Sequence, residues 1–255
     1  MKYDDVTSND LRPSRRTVTR AAAWSVPVVA AAAAVPAYAA SCTPLTNVSM
    51  PIPATGTVTN NGRDYSLTYT PPSGQFADPV TMTIKASYVG RMAPGSESQN
   101  VPLYTTFNPV GGLGTRGLGL IQTVTGNSTV PGRSARGIYT IGFTKPVTNL
   151  RFWLTDIDVL AGDYDDRIEL SNSGWSEVVT SRGSGISGLG TEASPWRGAG
   201  SYNDNTSGAG NVRVQFAGPV SSFDLTYWNN IGSFSGVDRN QGVFLTGITF
   251  DYQPC

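Results

Sequence analysis

The chain is 255 residues long, with 18 basic and 18 acidic side chains, two cysteines and no histidine. That balance provides no basic surface for nucleic acid or an anionic membrane face. The lack of imidazole excludes a Ser-His-Asp triad, a Cys-His pair and every histidine-ligated metal centre, so catalysis here would rest on carboxylates alone.

The first element is an export signal. Ser14-Arg15-Arg16-Thr17-Val18-Thr19-Arg20 precedes a mild apolar run from Ala21 to Val35 and then Ala37-Tyr38-Ala39. A basic start, a short apolar stretch and small residues at the cleavage site define such a leader. The run is mostly alanine and holds Pro27, and it falls short of the roughly 20 residues that a spanning helix needs. Paired arginines after a serine follow the twin-arginine pattern, an address read by a receptor. Val18-Thr19 is a weak version of its bulky apolar pair, so the general secretory route is the alternative. Cleavage after Ala39 predicts a signal peptide over 1–39 and one secreted domain over 40–255, with no membrane span in the mature chain.

Cys42 and Cys255 then bracket the whole mature domain. In an oxidising compartment an isolated pair predicts a disulfide, and hence two chain ends that meet. Lipidation of Cys42 is the competing reading, since Ala39-Ala40-Ser41 supplies small residues before it, although the usual leucine is missing.

From Val48 onward apolar residues recur with period two. Leu67 and Tyr69 alternate with Ser66, Thr68 and Thr70; Met82 and Ile84 with Thr81 and Thr83; Val212, Val214 and Phe216 with Arg213 and Gln215. Such strands bury one face, as in antiparallel sheets. Asn60-Asn61-Gly62 between Val58 and Tyr65 is a hairpin signal. No stretch shows helical periodicity, and 29 glycines and 17 prolines separate many short strands. The predicted fold is all-β, an antiparallel two-sheet β-sandwich of jelly-roll type. Two irregular stretches, Ala93–Asn108 and Gly183–Gly210, read as surface loops of the kind that often carry function.

An internal repeat runs through the second half. Tyr139-x-Ile141-x-Phe143-x-x-Pro146-Val147-x-x-Leu150-x-Phe152-x-Leu154 returns as Val212-x-Val214-x-Phe216-x-x-Pro219-Val220-x-x-Phe223-x-Leu225-x-Tyr227. Each unit reads as a strand, a proline corner and a second strand, the two units facing each other or lying side by side.

Asp156, Asp158, Asp163, Asp165 and Asp166 fall within eleven residues, where the strand ending at Thr155 runs into a loop holding Gly162. Oxygen-only ligands in a loop suit Ca²⁺. The alternative is a charged turn in which Asp156 caps, Asp165 or Asp166 pairs with Arg167, and the rest face water. Aromatic rings that stack on sugars are sought among Trp153, Trp175, Trp196, Trp228, Tyr164 and Tyr202. Trp196, in the glycine-rich loop, is the leading candidate for a binding aromatic, with Tyr164 and Trp175 beside it. Trp153 and Trp228 sit opposite the buried alternation of their strands, which predicts exposure or a second packed layer.

The segment Phe143-Thr-Lys-Pro146-Val147-Thr-Asn149-Leu150-Arg-Phe152-Trp-Leu154-Thr-Asp156-Ile157-Asp158, with Asp165-Asp166 and Ile168, resembles a motif of secreted bacterial β-sandwich domains. Val220-Ser-Ser-Phe223-Asp-Leu225-Thr-Tyr227 and Val243-Phe244-Leu245-Thr-Gly247-Ile248-Thr-Phe250 resemble their last strands. These domains occur in actinobacterial surface and secreted proteins and in lectin-like adhesin modules; the likeness covers roughly residues 115–252. It implies an extracellular, non-enzymatic, adhesin-like role facing a glycan or a surface protein. The rival reading is a carboxylate-dependent glycoside hydrolase, which needs two carboxyl groups about 5–10 Å apart.

Overall fold

The computed structural model describes residues 44–53, 57–72, 78–96, 101–171, 174–235 and 239–253. The segment expected to be an export signal, with its expected cleavage site at Ala39, and both Cys42 and Cys255 lie outside the described residues. What remains is β-structure with three short 3₁₀ turns. Sixteen strands follow in order: β1 (Leu45–Met50), β2 (Thr57–Thr59), β3 (Asp64–Tyr69), β4 (Val80–Val89), β5 (Met92–Pro94), β6 (Leu103–Pro109), β7 (Arg116–Val124), β8 (Arg136–Thr155), β9 (Val159–Leu160), β10 (Tyr164–Leu170), β11 (Trp175–Glu177), β12 (Ile186–Ser187), β13 (Arg197–Gly198), β14 (Val212–Phe216), β15 (Val220–Asn229) and β16 (Asn240–Tyr252). All of their pairings are antiparallel. Among the described residues no helix is long and apolar enough to cross a membrane.

The 20-residue strand β8 organises the molecule. Its first half, Arg136–Phe143, lies between β4 and β15, with β3 and β2 beyond β4 and β10 and β9 beyond β15. Its second half, Val147–Thr155, lies between β14 and β16, with β11 beyond β14 and β7 and β1 beyond β16. Asn149 has φ +49° and shifts the alternation by one position. Tyr139, Ile141 and Phe143 are therefore buried before it, and Leu150, Phe152 and Leu154 after it. The carboxylate of Asp251 holds this bulge and another: Oδ2 accepts from the Asn149 amide at 2.6 Å, and Oδ1 from the backbone N–H of Asn47, itself at φ +51°, at 2.7 Å.

The two arms meet in one apolar core. Phe152 of the second half stacks on Phe223 of β15 at 5.4 Å, and Phe143 of the first half packs on Phe250 of β16 at 5.9 Å. Their large rings account for much of the area withdrawn from water. The repeat units lie side by side and cross-pair: Val212 sits opposite Leu154 and Phe216 opposite Leu150, while Phe223 sits opposite Ile141 and Leu225 opposite Tyr139. The first strand of each unit thus pairs with the second strand of the other. The Pro146 corner runs through as continuous strand, whereas the Pro219 corner breaks the second unit into β14 and β15.

The hairpin at Asn60-Asn61-Gly62 forms, with φ of +52°, +54° and +81°, and sets Val58 opposite Tyr65. The described ends of the chain also meet, because β1 pairs with β16 and Leu45 faces Tyr252.

Candidate functional site

At Asp156, with φ +65°, the chain leaves β8. Aspartate is among the few side chains that tolerate this left-handed conformation. Ile157 then enters the core and Asp158 is buried at 2 % exposure. The chain returns along β10, and Asp158 and Asp166 lock the two segments together. The Asp166 N–H donates to the Asp158 carbonyl at 3.1 Å, and the Asp158 N–H donates to Asp166 Oδ2 at 3.1 Å. Asp166 Oδ1 accepts a 2.6 Å bond from the Tyr227 hydroxyl. Asp158 Oδ2 accepts from the Tyr202 N–H at 2.9 Å and the Tyr164 hydroxyl at 3.4 Å. The loop carrying Tyr202 and Asp204 is tied down by an Ile157 N–H bond to the Gly210 carbonyl at 3.1 Å and an Asn211 amide bond to the Gly111 carbonyl at 2.8 Å.

These connections frame a cleft of about 280 Å³. Asp156, Asp158, Asp204 and Tyr164 line it, together with Gln241 from the start of β16 and the rings of Tyr104 and Phe244. The two rings meet edge to face at 6.5 Å. Gly119 makes that possible: a Cβ there would stand 2.6 Å from the Tyr104 ring. Gln241 is only 3 % exposed, yet neither Oε1 nor Nε2 has a hydrogen-bond partner. Asp156 Oδ1 is likewise buried without one. Leaving a buried polar group unpaired costs about 1–3 kcal/mol, more when it is charged, so native proteins rarely do so.

Burial drives the electrostatics. It pushes the Asp156 carboxyl up to about 9, reinforced by the charges of Asp158, Asp204 and Asp166. Burial also lifts Asp158 to about 6, restrained by its bonds from Tyr202 and Tyr164. Asp166, behind them, is held well above the usual carboxylate range by burial and by Asp158. No lysine or arginine lines the cleft among the described residues. The cleft lining combines acidic side chains, the two carboxamide residues Asn240 and Gln241, and the aromatic residues Tyr104, Tyr164 and Phe244.

Of the five clustered aspartates, two line the cleft and Asp166 supports them. Asp165 forms an ion pair with Arg167, and neither Asp163 nor Asp165 lines the cleft. Among the described residues no three acidic groups assemble a ready ligand set for a metal ion. Trp196 corrects an expectation: it is fully buried, its indole N–H donates to Glu177 Oε2 at 2.9 Å, and Arg182 clasps the same carboxylate. The glycine-rich loop folds inward because this one indole finds a core site and its backbone pairs with Ile168. Trp175 packs half-buried against it at 5.2 Å and lies outside the cleft. Tyr164 is the one predicted binding aromatic that does line it. Trp228 is buried in a small second cluster with Met92, Val124 and Phe234, and Trp153 lies half-buried under the Arg213 guanidinium at 5.5 Å.

Asp204, Gln241, Tyr104 and Phe244 were not singled out from the sequence. Gln241 did carry a signal, since it continues the inward phase of Val243 and Leu245 where an apolar residue belongs. No protein-family model and no curated protein matches the chain.

Proposed function

We propose that the protein is a secreted, non-enzymatic binding module, adhesin-like and carbohydrate-facing, whose ligand seat is the cleft between the end of β8 and the start of β16. One observation carries this reading: Gln241, buried with neither its carboxamide donor nor its acceptor paired, lines the cleft together with Asp156, whose Oδ1 is also buried without a partner. Saccharide hydroxyls donate and accept at once, and a pocket with few placed polar groups and aromatic wall is the form such sites take. In this reading the two halves of β8 belong to the two layers of a lectin-like β-sandwich, a view supported by the Phe152–Phe223 and Phe143–Phe250 contacts. A Cys42–Cys255 disulfide closes the domain, supported by Leu45 standing opposite Tyr252. Export follows the twin-arginine-type leader, in keeping with the resemblance to secreted actinobacterial domains.

Calcium suits the cleft less well. It takes six to eight oxygens, whereas Asp163 and Asp165 do not line the cleft and Gln241 brings an NH₂ donor as well as an acceptor. Ca²⁺ therefore enters as a competitor to be titrated.

A glycan array with the secreted protein, followed by calorimetry on the hits, tests the reading. Saccharide binding is expected for the wild type and its loss for Gln241→Leu, with the melting temperature of that variant unchanged or raised. Failure of the folded wild type to hold any glycan refutes it. A second reading is favoured by the split between Asp156 and Asp158, a protonated acid beside a more acidic carboxyl in one cleft. That is the division of labour in glycoside hydrolysis. Reducing-sugar release abolished by Asp158→Asn would establish it.

A further inference from the structure

Resting on the saccharide reading, we infer that the sugar held in this cleft carries a free amino group, as in a de-N-acetylated hexosamine unit. Three carboxyl groups, those of Asp156, Asp158 and Asp204, line one small cavity, and no described lysine or arginine answers them there. A neutral sugar leaves that charge uncompensated. An ammonium group brings three N–H donors and no acceptor, so it can satisfy several carboxylate oxygens at once, including the buried Asp156 Oδ1 that has no partner.

A divalent metal answers the charge less well, because it demands a convergent oxygen shell that these acids do not form among the described residues. An ammonium accepts looser geometry. The Tyr104 and Phe244 rings form the apolar wall, where a cation gains from the ring quadrupole at separations within about 6 Å. Gln241 then meets a ring hydroxyl from each side of its amide, accepting through Oε1 and donating through Nε2. The acids set the demand for an amine and the glutamine sets the demand for a polyol, and an amino sugar meets both. The raised Asp156 supports the same conclusion: a bound cation stabilises its charged form, so binding should release a proton.

Isothermal titration calorimetry at pH 6 decides it, using glucosamine tetramer, N-acetylglucosamine tetramer, cellotetraose and spermidine on the intact protein. The glucosamine oligomer is expected to bind at least about tenfold more tightly than either neutral oligomer, the worth of one added charge-assisted contact. Titrations in buffers of different ionisation enthalpy should show protons released on binding. Asp204→Asn, at a half-buried loop position, should erase the preference for the amine while leaving the circular dichroism spectrum intact. Equal binding of the acetylated or neutral oligomers overturns the amine requirement and leaves the saccharide reading standing. Spermidine binding as tightly as the glucosamine oligomer overturns the sugar and leaves a plain amine site. Binding of none of the four, with no hit on the glycan array, removes both.

Discussion

Asn in place of Asp156 separates the electrostatics of the cleft from its shape. The unfolded carboxyl titrates near 3.8 and the folded one near 9. Between those values the folded chain holds a proton that the unfolded chain has released. The associated stability is therefore complete below pH 3.8 and is lost as the pH rises toward 9. Each such group lowers stability by about 1.4 kcal/mol per pH unit. From pH 6 to 8.5 Asp156 alone should remove about 3 kcal/mol, a sizeable part of the 5–15 kcal/mol typical of a domain. Asp166, held well above the usual carboxylate range by burial and by Asp158, acts with the same sign, whereas Asp158 has finished its contribution near pH 6. Asparagine keeps the shape, carries no proton and accepts the φ of +65° at this position. Urea denaturation in half-unit steps from pH 6 to 8.5 should show the wild type losing about 3 kcal/mol more than Asp156→Asn, with the variant more stable at the alkaline end. Parallel profiles for the two proteins would refute the claim that Asp156 is buried protonated in a crowd of carboxylates.

Three further outcomes follow from the framework around the cleft. Trp196→Ala should cost about 3–5 kcal/mol in chemical denaturation, as deletion of a fully buried indole does, and should open new protease cuts between residues 183 and 210. Asp251→Ala releases the Asn47 and Asn149 bulges together; a loss of about 1–2 kcal/mol at unchanged denaturant slope is expected from two hydrogen bonds to one carboxylate. Thiol titration of protein produced in an oxidising compartment, under denaturing, non-reducing conditions, should find no free thiol, and reduction should lower the melting temperature, since closing so long a loop is worth up to about 5 kcal/mol; two titratable thiols would refute the disulfide.

The fold class was legible because burial and polarity alternate residue by residue. Met82 and Ile84, or Val212, Val214 and Phe216, declare strand and buried face together. The Asn60-Asn61-Gly62 turn was equally local, since its three left-handed residues are neighbours. The path of β8 was not. The Pro146 and Pro219 corners read identically, yet only the first is spanned on both sides, Val147 pairing with Val220 and with Tyr252. Such support comes from distant segments and leaves no mark within the motif. Trp196 failed for a related reason. The glycines around it suggested an open loop, whereas Gly190 is small so that the indole can lie against it; a Cβ there would stand 2.5 Å from the ring.

The candidate site divides along the same line between local and assembled features. The aspartates after Thr155 announced a charged turn, but the turn alone does not say which carboxyls are solvated. Tyr227, far along the chain, takes Asp166 into the interior, while the neighbouring Arg167 takes Asp165. What is left facing the cleft, Asp156 and Asp158, becomes a site only when Asp204 and Gln241 arrive from two other loops and strands. Their assembly is costly: a carboxyl displaced to about 9 and a glutamine with no partner are both states that an apolar or amide replacement would relieve. Destabilising polar groups gathered in one concave place are the mark of a surface held ready for a ligand. If binding is what keeps them, then substitutions that stabilise the empty protein, Asp156→Asn and Gln241→Leu among them, should weaken saccharide binding, and stability and affinity should move in opposite directions across the series. Substitutions at Trp196 or Asp251 should lower stability and leave affinity in place.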